Sequence, residues 1–72
     1  MRNTYKIWEC GVNKAQLIDA PTMREAVAQF ARCEVLHLRG AVNLSTKSNP
    51  VEWIDAGDLA RQFTAYEIQV ET

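Results

Sequence analysis

The chain has 72 residues, 47% of them hydrophobic, and carries 8 basic against 9 acidic side chains for a net charge of −1. So short a chain is one domain, and it buries only about 60% of the surface that its unfolded form exposes. The apolar content excludes a disordered chain, the lack of an apolar run near ~20 residues excludes a membrane-spanning helix, and the near-neutral balance excludes a general attraction to nucleic acid.

Residues 4–10 alternate and predict a strand, with Tyr5 and Ile7 on one face and Lys6, Trp8 and Cys10 on the other. No apolar signal core precedes it, so the expected location is the cytoplasm, or the host cytoplasm if the protein is viral. Gly11 and Asn13 supply turn chemistry, and residues 15–20 form a second strand, closing an antiparallel hairpin. With Tyr5 and Trp8 on opposite faces, Trp8 is expected to be the partly exposed aromatic.

The segment from Asp19 to Glu34 holds the main helix. Thr22 is an N-cap, Glu25 completes a capping box, and Pro21 keeps the chain extended up to the cap. Met23, Ala26, Val27, Phe30 and Ala31 then form one apolar stripe, with Phe30 as its expected anchor. Arg32 suits the negative end of the helix dipole.

The parity of residues 35–46 predicts one long strand bent or bulged at Gly40, with Leu36, Leu38, Val42 and Leu44 on one side and His37 and Arg39 on a polar side. Residues 46–50 read as a loop and residues 51–54 as a short strand around Trp53. Asp55 can cap a short helix over residues 56–63, with Leu59, Ala60 and Phe63 turned inward, or begin a hairpin turn; the helix is the expectation. At the end Tyr66, Ile68 and Val70 alternate with Glu67, Gln69 and Glu71, a half-buried strand with an acidic outer face. The expected fold is α+β: an antiparallel sheet of four to five strands with one main helix on one face, in the order β-β-α-β-β-(short α)-β, as a single domain over residues 1–72.

No catalytic constellation emerges. The one histidine, His37, has no nucleophile at a recognised spacing, and Asp55 and Asp58 are explained by capping. The single glycines 11, 40 and 57 make no phosphate loop. Cys10, Cys33 and His37 supply three potential ligands where a structural zinc site needs four. The expectation is a protein that is not an enzyme, with no cofactor and no metal.

Binding is the remaining class. Residues 1–50 carry seven basic and four acidic side chains, whereas residues 51–72 set Arg61 against Glu52, Asp55, Asp58, Glu67 and Glu71. That acidic segment is the candidate surface for docking on a basic protein site. The layout of the hairpin from Tyr5 to Ala20, the join Ile18-Asp19-Ala20-Pro21-Thr22 and the helix start Met23-Arg24-Glu25-Ala26-Val27-Ala28 resembles small phage-encoded inhibitors of bacterial defence, such as anti-CRISPR proteins. The resemblance implies blocking of a host nucleic-acid-guided complex such as a CRISPR effector, and no individual functional residue follows from it. Two alternatives stand beside it: nucleic-acid binding on the open face of the sheet through Trp8, Lys6 and Arg39, and a homodimeric accessory protein.

Overall fold

A computed structural model describes residues 3–38 and 50–68. The elements are β1 (Asn3–Glu9), β2 (Gln16–Ala20), α1 (Met23–Ala31), β3 (Val35–His37), β4 (Val51–Asp55) and β5 (Gln62–Ile68). The strands form one antiparallel sheet in the order β2-β1-β5-β4-β3. The helix leaves one edge strand, β2, and delivers the chain to the other, β3. It therefore crosses a single face of the sheet.

The helix begins where its cap chemistry places it. Thr22 is extended (φ −137, ψ 158), and its Oγ1 accepts from the Glu25 N–H at 3.2 Å. It ends at Ala31, because Arg32 turns into the left-handed region at φ 58 and donates its N–H to the Ala28 carbonyl. Arg32 is thus the C-cap itself and no residue of the last turn is basic. Met23, Ala26, Val27 and Ala31 are buried. Phe30 is half-buried and meets Phe63 edge-on, so the fully buried Met23 and Val27 are the main anchors in its place. Arg24 reaches over the helix side to β3 and β4: Nη1 donates to the Val35 carbonyl at 3.0 Å, and the guanidinium lies 5.5 Å from the Trp53 ring.

The covered face of the sheet supplies the rest of the core: Tyr5 and Ile7 of β1, Phe63 and Ala65 of β5, Val51 and Trp53 of β4, and Val35 of β3. The register fixes the parity of every strand. Ile7 pairs with Ala65, Val51 with Ala65 and Trp53 with Phe63, so these side chains share the helix-covered side.

Three expectations are corrected here. Residues 56–61 are a turn and not a short helix, and Phe63 lies in β5. The reason is that Asp55 spends its capping capacity on an Asx turn, while Phe63 finds a larger apolar partner in the sheet. In β3, Val35 and His37 lie on the covered face, His37 against the Trp53 ring at 5.1 Å, and Leu36 and Leu38 are exposed. In β5, Glu67 pairs with Tyr5 on the covered side, while Tyr66 pairs with Lys6 on the opposite one. The expected continuation of β3 past residue 38, with its bend at Gly40, lies outside the described residues, as do the loop at 46–49 and Gln69, Val70 and Glu71.

Candidate functional site

The acidic candidates do not share a surface. Asp55 is only 5% exposed and works inside the fold. Its Oδ1 accepts from the backbone N–H of Gly57 at 2.7 Å and of Asp58 at 3.2 Å, and Oδ2 accepts from Arg61 Nη1 at 3.4 Å. Arg61 in turn grips Glu9 of β1 through Nε at 3.3 Å and Nη2 at 3.1 Å, a bidentate pair that ties the β4–β5 turn to the sheet. The N–H groups, those of Gly57 above all, then the Cys33 thiol, hold the Asp55 carboxyl below the usual carboxylate range. Burial, and then the hydrogen bond to Asp55, push the Cys33 thiol up. Asp58 is exposed and accepts from the Ala60 N–H at 3.2 Å. Glu52 lies on the uncovered side of β4 and Glu67 on the covered side of β5. Glu71 and Arg39 are outside the described residues.

What the fold does bring together is the side of the sheet away from α1. Cross-strand pairing sets Leu17, Lys6 and Tyr66 in one row across β2, β1 and β5. It sets Trp8, Thr64 and Glu52 in the next. Gln62, Ile54 and Leu36 follow in a third. Leu17, Leu36 and Leu38 are 64%, 47% and 44% exposed. Large side chains of this kind are expected singly on a surface, but here the register sets Leu17 and Leu36, on the two edge strands, on one face. On β1, next to the β2 edge, the half-buried Trp8 meets Tyr66 of the central strand edge to face, with ring centroids 6.1 Å apart and planes at 74°.

Beside Trp8 the β1–β2 connection shapes a cleft. Val12 N–H donates to the Glu9 carbonyl at 3.0 Å and Gly11 sits at φ 88, a conformation glycine adopts without penalty. The chain then runs on through residues 12–15, which line the cleft with Lys6, Trp8 and Tyr66. Its volume is about 480 Å³. Among the described residues its two charges, Lys6 and Lys14, are both positive, and no acidic residue lines it.

Compared with known proteins, the chain matches no family model, no curated protein and no solved structure. The site is therefore read from its own geometry. Lys6 and Trp8 were legible as candidates from strand parity. Tyr66 was not, because alternation alone set it on the opposite side from Trp8. Lys14 carried no signal beyond its place in a turn. Among the described residues no group of three or more His, Cys, Asp or Glu side chains is placed to hold a metal ion. None of their helices is long and apolar enough to cross a membrane.

Proposed function

We propose that this chain is a non-enzymatic protein-binding module whose contact surface is the sheet face opposite α1. The observation that carries the reading is the placing of Leu17, Trp8, Ile54 and Leu36 on that face by strand register, with Leu17 and Leu36 exposed. Apolar side chains in such an arrangement favour burial against a second protein, and a Trp among them is the residue type that most often anchors an interface. The partner class we propose is a host complex that handles nucleic acid, on the strength of the layout shared with small phage-encoded defence inhibitors. The scatter of Asp55, Asp58 and Glu67 moves the proposed contact from an acidic surface to this apolar one.

The test is retention from a nuclease-treated bacterial lysate by the tagged chain. The expected result is a stoichiometric protein partner that Leu36→Glu loses and Gln29→Glu, on the exposed side of α1, keeps. Equal retention by both variants would overturn the reading. A mass that doubles with concentration in the pure protein, and fails to do so in Leu36→Glu, would make a second copy the partner.

A further inference from the structure

We infer that the cleft formed by Lys6, Trp8, Val12, Lys14 and Tyr66 takes an acidic segment of the protein partner, one that carries an apolar side chain between its carboxylates. This rests on the reading that the open sheet face binds a protein, and it names the chemistry that face selects.

Charge complementarity is the first argument. The chain as a whole is at −1, yet among the described residues the cleft gathers two lysines and no carboxylate. Neither lysine side chain makes a hydrogen bond or ion pair with the described residues. The cross-strand partners of Lys6 in β2 and β5 are Leu17 and Tyr66, which compensate no charge. Two lysines lining one cleft with apolar side chains match carboxylates spaced along an extended peptide. The apolar lining is the second argument. Trp8 and the 47% exposed Val12 add apolar surface to the same cleft, whose volume of about 480 Å³ leaves room for a Leu or Phe side chain.

The same geometry weighs against a single-stranded nucleic acid. A base-stacking platform needs successive aromatic faces. Here Tyr66 is only 8% exposed and already receives Trp8 edge-on, so one ring remains.

The experiment is a two-dimensional NMR titration of the full chain with a blocked hexapeptide alternating glutamate with leucine and phenylalanine. The expected result is a saturable shift of the Trp8 indole N–H and of the Val12 and Lys14 amides. The double variant Lys6→Glu, Lys14→Glu should bind at least about tenfold more weakly, as should a peptide with glutamine in place of glutamate. Trp8→Ala should lose the same peptide while keeping the dispersion of a folded chain. The absence of a saturable shift at about 1 mM peptide would overturn the proposal. So would unchanged affinity in the double lysine variant, or tighter binding of a thymidine oligonucleotide than of the peptide. The lysate experiment separates the two readings. If the double lysine variant keeps a partner that Leu36→Glu loses, the cleft is overturned and the open face stands. If Leu36→Glu keeps the partner, the open face is overturned whatever the peptide does.

Discussion

Asp55 shows how one side chain serves the fold in a way its charge alone does not announce. Four groups converge on it: two backbone N–H groups of its own turn, the Arg61 guanidinium and the Cys33 thiol. All stabilise the ionised form, so its folded carboxyl titrates lower than in the unfolded chain. The stability it contributes is then fully present above the unfolded carboxylate range and is lost as pH falls through the folded value. Asp55→Asn should therefore lower stability to urea at neutral pH and flatten its decline below about pH 5. Urea midpoints measured across that range check both halves. A variant whose acid limb is as steep as that of the parent chain would show that Asp55 does not govern it. Trp53 carries the opposite kind of feature. It is buried, and its indole N–H finds no acceptor among the described residues, an arrangement that costs about 1–3 kcal/mol.

The helix is the element whose limits follow most directly from local chemistry. Thr22 satisfies an N–H that would otherwise have no partner, and removing that oxygen with Thr22→Ala should cost about 1 kcal/mol. The other end is less well suited to its residue. Arg32 pays the left-handed conformation that glycine adopts freely, and its side chain is exposed. Arg32→Gly should thus stabilise the protein by up to about 1 kcal/mol, a gain partly offset by the extra freedom of glycine in the unfolded chain. Thermal unfolding of the two variants should move in opposite directions. The strands behave differently. Their existence was visible in alternation, yet β3 and β5 face the other way from the expectation. Alternation states that successive side chains part company and leaves open which set is covered. In β3 the valine turned inward with the still exposed histidine on its side, and in β5 the phenylalanine and alanine turned inward, because those positions pair with Asp55, Trp53 and Val51 in the neighbouring strand.

At the scale of the molecule, the decisive property is that, among the described residues, one helix of nine residues covers one side of a five-stranded sheet. The two sides should therefore respond to mutation in different ways. Ile7→Ala, on the covered side, removes a fully buried side chain and should cost about 3 kcal/mol, a large share of what a domain of this size has. Leu36→Ser, on the open side, should stay within about 0.5 kcal/mol in the isolated chain. Chemical denaturation of the two variants provides the comparison. A loss at Leu36 as large as that at Ile7 would mean that the open face is covered within the chain itself, and it would remove the surface on which the binding proposal rests.

Cap, turn and alternation signals act within about four residues, so the sequence alone was enough to place the start of α1, the β1–β2 hairpin and the strand at 51–54, whereas the final strand, expected from Tyr66, begins at Gln62. The acidic imbalance of residues 51–72 was equally plain, but charge counted along a chain says nothing of direction. Direction was settled by contacts between residues far apart. The pairing of β1 with β5 set Trp8 beside Thr64 and Lys6 beside Tyr66, more than fifty positions away. The crossing of α1 from one sheet edge to the other chose the covered side, and with it the fate of Leu36, Glu67 and Tyr66. The Asx turn at Asp55 converted an expected helix into a hairpin, because Phe63 gains more by lying against Trp53 and Phe30 than by ending a short exposed helix. The candidate site is built from those long-range pairings, which is why half of it, Lys6 and Trp8, was legible in the sequence, and the half made of Tyr66 and Lys14 was not.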